Sequence, residues 1–115
     1  NAGVFQEGQR VDITGISKGK GFAGGIRRYH FRGGPKTHGQ SDRHRAPGSI
    51  GSGTTPGRVL KGLKMAGHLG HDRVTAKNLE VLKIEPDRNL ILIKGAVPGP
   101  TDTIVMIRPT KKGAR

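Results

Sequence analysis

Apolar and polar residues alternate from Arg10 to Gly15, with Val11 and Ile13 set against Asp12 and Thr14. That period of two predicts a short, half-buried strand. The lead-in from Asn1 to Gln9 has no period. The strand pattern returns near the other end of the chain. Leu79 to Glu85 reads as a strand whose apolar phase slips at Val81-Leu82, which predicts a bulge or burial on both faces. Pro86-Asp87-Arg88-Asn89 is a turn signal, and Leu90-Ile91-Leu92-Ile93 completes a hairpin. Gly95 to Pro100 turns the chain again. Thr103 to Arg108, carrying Ile104, Val105, Met106 and Ile107, predicts a third strand of this group, and Lys111 to Arg115 is a basic tail.

The middle follows no such rule. Ser17 to Gly21 alternates glycine with lysine. Phe22, Ile26 and Tyr29 stand at i, i+4 and i+7, which predicts a short helix over Phe22 to Tyr29. Gly24 and Gly25 weaken it by about 1 kcal/mol each. From His30 to Gly57 no period is sustained, and Pro35, Pro47 and Pro56 among many glycines mark turns or extended backbone. A loop of that length signals function or disorder. Arg58 to Gly70 carries Val59, Leu60, Leu63 and Met65, but Gly62, Gly67 and Gly70 break any helix. The expected fold is mainly β: a partial small β-barrel or sheet, one long basic Gly-rich loop, and at most a short helix. The expected segments are 1–16 (lead-in and first strand), 17–73 (loop), 74–110 (remaining strands) and 111–115 (tail). Three or more strands with an apolar face hold together, though marginally at this size.

Composition sharpens the picture. With 115 residues and 31% hydrophobic content the chain has room for one modest domain with a small core. There is no cysteine, hence no disulfide framework and no thiolate metal site, which suits a reducing compartment. No apolar run approaches the length of a membrane span and no secretory signal is visible. The chain begins at Asn1 rather than Met, so a piece of a longer protein is expected. Net charge is +13 and the pI about 11.2, well above the usual threshold for nucleic-acid binding.

That charge is concentrated. Ser17 to Arg73 holds twelve Lys and Arg against only Asp42 and Asp72, a formal +10, together with all five histidines and fourteen of the twenty glycines. Fixing one residue's backbone costs about 1–2 kcal/mol, whereas a fully buried large apolar side chain returns about 1.5–3 kcal/mol. The segment has only ten scattered large apolar residues to offer. Alone it should be largely disordered, and its charge says that a polyanion orders it.

Several sharper motifs fail on the residues around them. Gly19-Lys20-Gly21-Phe22-Ala23-Gly24 matches G-x-G-x-x-G, but a dinucleotide site also needs a βαβ unit and an acid about twenty positions on. Asp42 has that spacing and sits in loop. Gly15 to Gly21 is one residue too tight for a Walker loop, and no Ser or Thr follows Lys20. The pairs His38/His44 and His68/His71 have no cysteine or carboxylate pair to complete a first shell, so no metal is expected. Histidines in a basic arm rather stack on bases or bond to phosphate and sugar. His38, Ser41 and Asp42 gain nothing from adjacency, because a triad is assembled in space. Neither catalysis nor a cofactor nor a small-molecule substrate is expected.

What survives is phosphate binding. Lys18, Lys20, Arg27, Arg28, Arg32, Lys36, Arg43, Arg45, Arg58, Lys61, Lys64 and Arg73, with His38 and His44, are the candidate RNA contacts. Gly19, Gly21, Gly48, Gly51 and Gly57 are the candidates for close backbone approach to phosphate. Aromatic content is only 3%, so phosphate contact and shape should dominate over stacking. The alternative is a nucleoid-type DNA architectural protein, separable by comparing structured RNA with duplex DNA at matched salt.

Val11-Asp12-Ile13-Thr14-Gly15 followed by Ser17-Lys18-Gly19-Lys20-Gly21-Phe22-Ala23-Gly24 closely resembles a signature of the universal large-subunit ribosomal protein L three family, bacterial or organellar type. The likeness continues through Thr37-His38-Gly39, His44-Arg45-Ala46-Pro47-Gly48-Ser49-Ile50-Gly51 and Thr55-Pro56-Gly57-Arg58-Val59. It then runs through Gly62, Lys64-Met65-Ala66-Gly67, Arg73-Val74-Thr75 and Lys94-Gly95-Ala96-Val97-Pro98-Gly99, colinear over nearly all of Gly8 to Pro109. The resemblance implies a translation-protein-type β-barrel on the outer face of the large subunit and a loop that penetrates ribosomal RNA toward the peptidyl transferase centre. By that likeness Ser17 to Arg73 is the loop with its flanks, and Ser49 to Gly57 lies near its tip. It further implies direct RNA binding, an early part in assembly, neighbouring ribosomal proteins as partners, no membrane, and a place in a cytoplasmic or organellar ribosome. Two departures follow. The family's N-terminal portion, which supplies part of the barrel, is absent, so an unclosed sheet is expected. Many bacterial members carry a side-chain-methylated glutamine just before the Thr-Pro step; here Ser52-Gly53-Thr54 precede Thr55, and that modification is not expected.

Overall fold

Val11 and Ile13 are fully buried, as the alternation predicts, and the sheet is built around them. The computed structural model describes residues 2–111; Lys112 to Arg115 of the basic tail lie outside the described residues. Two structural units divide the chain, Asn1–Gly19 with Gly70–Arg115 as one and Lys20–Leu69 as the other.

The first unit is an open four-stranded antiparallel sheet. Its strands are β1 (Arg10–Ile16), β4 (Arg73–Glu85), β5 (Leu90–Lys94) and β6 (Met106–Pro109), in the order β5-β4-β1-β6. Val11, Ile13 and Val81 form its core, with Phe5, Leu79, Ile84, Ile91, Ile93, Val105 and Ile107 packed against them. The sheet does not close, so the barrel is only partial.

Two register shifts bend β4. One lies opposite Val11/Ile13 and the other at Val81/Lys83, where the slipped apolar phase predicts a bulge. At the first shift, Asn78 adopts a left-handed φ of 59° and its N–H donates to the Asp12 carboxylate at 2.9 Å. Beside it the Thr14 and Thr75 hydroxyls bond at 2.9 Å. The hairpin turn is a 3-10 turn over Pro86–Arg88, closed by Asn89 at φ 50°. Proline presets its first residue, and asparagine tolerates the left-handed last one.

Three boundaries differ from expectation. β4 begins at Arg73 rather than Leu79, because its first half pairs with β1 from Ile16 to Ile13. β6 begins at Met106 rather than Thr103, and Ile104 is 96% exposed. The ladder between β1 and β6 stops at Thr14↔Met106, and beyond it the Pro98 carbonyl and Val105 lie beside Gly15. Phe22 leaves the predicted helix for β2 (Phe22–Ala23), which pairs with β3 (Gly67–His68), and α1 is only Gly25–Tyr29.

Candidate nucleic-acid interface

Lys20–Leu69 carries ten of the lysines and arginines and a single acid, Asp42, a formal +9. The sheet unit holds the other eleven cations against seven acids, a formal +4. The positive charge is therefore concentrated in the basic unit, whose field would attract an anion most strongly.

A two-rung ladder closes the base of this unit. Phe22 pairs with His68 and Ala23 with Gly67. The Lys20 N–H donates to the Leu69 carbonyl, and the Leu69 N–H to the Gly21 carbonyl, both at 2.9 Å. Ala23 is the unit's one buried hydrophobic residue among those described. α1 follows, ending at His30 in the left-handed conformation with its N–H on the Gly25 carbonyl. Tyr29 and Phe31 stack with ring centroids 5.8 Å apart. The Arg28 guanidinium lies 5.0 Å and the Lys64 ammonium 5.5 Å from the Tyr29 centroid, within cation–π range. Arg28 also donates to the Met65 carbonyl at 2.7 Å. Arg28 is thus partly committed inside the protein, a role that charge counting does not reveal.

The remaining cations are free to meet an anion. Lys20, Arg27, Arg32, Lys36, Arg43, Arg45, Arg58, Lys61 and Lys64 are all exposed, as is His38. Among the described residues of this unit the one ion pair is Arg43–Asp42, at 4.0 Å between highly exposed side chains; such a pair contributes about 0–1 kcal/mol. His44 is exposed and its Nδ1 lies 3.1 Å from the Pro35 carbonyl. Lys18 and Arg73 are exposed too, but belong to the sheet unit, Lys18 after β1 and Arg73 opening β4 opposite Ile16.

The five candidate glycines behave differently from one another. Gly21, Gly48 and Gly57 have φ of 67°, 82° and 65°, a region that disfavours any side chain. Gly19 and Gly51 have only ordinary contacts, at 3.8 and 3.6 Å. Glycines packed against the protein's own atoms lie elsewhere: a Cβ on Gly25 would sit 2.8 Å from the Phe31 ring, and one on Gly34 2.5 Å from the Arg43 carbonyl. No local signal marks these two, because the crowding atom comes from six or nine positions away.

The unit has almost no apolar interior. Ile50, Val59, Leu60, Leu63 and Met65 are all exposed. A chain that displays nine exposed cations, only one of them ion-paired among the described residues, over so little core is suited to phosphate contact along its length.

A family model described as ribosomal protein L3 matches residues 1–89. The chain is 59% identical over 115 residues to the large ribosomal subunit protein uL3 of Herpetosiphon aurantiacus, covering 100% of this chain and 54% of that one. It is 59% identical over 108 residues to uL3 of Dehalococcoides mccartyi, covering 94% of this chain and 53% of that one. It is 61% identical over 110 residues to uL3 of Acidithiobacillus ferrooxidans, covering 96% and 52%. The chain thus spans about half the length of the curated relatives it matches.

Proposed function

The chain belongs to the ribosomal protein L3 family, and on that premise we propose that it is a structural, non-catalytic constituent of the large ribosomal subunit that binds large-subunit RNA directly. Segment 17–73 is the RNA-penetrating loop, reaching toward the peptidyl transferase centre and buttressing it. Segments 1–16 and 74–110 form the sheet that anchors the loop beside neighbouring ribosomal proteins. The protein joins early in subunit assembly and resides in the ribosome. The single observation that carries this reading is the separation of charge from core: a formal +9 on Lys20–Leu69, whose one buried hydrophobic residue among those described is Ala23.

Counterion release supplies the test. If about ten of these cations contact phosphate, affinity for large-subunit RNA falls by roughly 10³–10⁵ between 50 and 200 mM salt. A complex indifferent to salt contradicts the reading, and equal affinity for duplex DNA at matched salt favours a general DNA binder instead.

A further inference from the structure

We infer that a cleft beside Phe31 receives one unstacked nucleobase of the bound RNA, an inference that rests on the RNA-binding reading above. The cleft has a volume of about 530 Å³; Phe31, Ala46 and Pro47 supply apolar walls, and Arg32, Gln40 and Arg43 polar ones.

Contacts within the loop frame it. The Gly34 N–H donates to the His44 carbonyl at 2.9 Å, and His44 Nδ1 lies 3.1 Å from the Pro35 carbonyl. A Cβ on Gly33 would come within 2.7 Å of the His44 carbonyl oxygen. The two sides of the loop are therefore as close as glycine permits.

The polar groups in the walls are uncommitted. Gln40 is half-buried, and its carboxamide has no hydrogen-bond partner among the described residues; only its backbone N–H is used, on the Thr37 carbonyl at 3.3 Å. Arg32 has no ion pair among the described residues, and Arg43 has only the 4.0 Å approach to Asp42.

The combination selects its occupant. A carboxamide offers a donor and an acceptor side by side, the pattern that matches a base edge. An aromatic ring offers the stacking face that splayed-out RNA bases take. Two guanidinium groups at the same cleft hold the flanking phosphates. A lone phosphate would have no use for the Phe31 and Pro47 walls, and an apolar peptide none for the guanidinium pair.

The test is base-edge chemical probing of large-subunit RNA bound to the full chain. One nucleotide is expected to be shielded by the wild-type protein and reactive again with Gln40→Ala and with Phe31→Leu. Phe31→Leu, which keeps the apolar bulk and removes the ring face, should lower affinity by about five- to a hundredfold. Gln40→Ala should lower it by no more than about tenfold, and Phe31→Tyr should retain the shielding. If wild type, Gln40→Ala and Phe31→Leu all bind RNA with identical reactivity at every nucleotide, the cleft holds no base, while the RNA-binding reading stands. If the wild-type chain does not bind the RNA, that reading fails and the base-binding cleft fails with it.

Discussion

Gly15 lies near the end of β1, where a Cβ would stand 2.8 Å from the Pro98 carbonyl oxygen and 3.1 Å from Val105. Backbone cannot yield as a flexible side chain does, so Gly15→Ala should destabilise the sheet by about 1–3 kcal/mol, as overpacking does. Gly53 has nothing within 4 Å of its would-be Cβ, and Gly53→Ala should stay within about 0.5 kcal/mol. Urea denaturation monitored on the strand signal measures both, and equal effects would contradict this account of Gly15. Ile13→Ala, at a fully buried site, should cost about 2–5 kcal/mol in the same assay. Of these three sites, only Ile13 announced itself in the sequence. Its burial follows from alternation with its immediate neighbours, whereas the atoms that crowd Gly15 arrive from eighty or more positions downstream. The same limit applies to Arg28: its charge is plain, but its bond to the Met65 carbonyl spans 37 positions.

Strands were legible where both partners carry an apolar face. β1, the β4–β5 hairpin and the slip at Val81-Leu82 all follow from side-chain periodicity. The first half of β4 was not legible, because Val74, Thr75 and Lys77 are exposed and carry no buried stripe. That half is held by ladder bonds to β1, by the Thr14–Thr75 hydroxyl pair and by Asp12 on the Asn78 N–H. The bulge at Asn78 therefore depends on a left-handed residue capped by a carboxylate. Asn78→Gly should be nearly neutral, while Asn78→Val should lose about 1–2 kcal/mol, since a β-branched residue resists φ of 59°. Asp12→Ala should cost roughly 1 kcal/mol through the lost hydrogen bond. Indistinguishable denaturation midpoints for the glycine and valine variants would show that the bulge is not where the strain sits. At the helix, tertiary pairing prevailed over local period: Phe22 serves the β2–β3 ladder that closes the basic unit, so α1 keeps only Gly25–Tyr29.

Across the whole molecule, core and charge are assigned to different stretches of chain. Among the described residues the buried hydrophobic ones are Ala2, Val11, Ile13, Ala23 and Val81, and four of the five belong to the sheet unit. Composition predicts this division, since a run rich in glycine and cations cannot bury enough apolar surface to offset its ordering. The particular shape that Lys20–Leu69 adopts was beyond the sequence, because contacts as specific as Tyr29 on Phe31 or Gly34 on His44 follow no period. On the proposed function, RNA supplies the order which the basic unit lacks. Amide hydrogen exchange on the full chain, with and without large-subunit RNA, tests it most directly. Exchange at Lys20–Leu69 should be fast in the free protein and slow by orders of magnitude in the complex, while the amides of β1 and β4 are protected in both. Strong protection across Lys20–Leu69 in the RNA-free chain would contradict the claim.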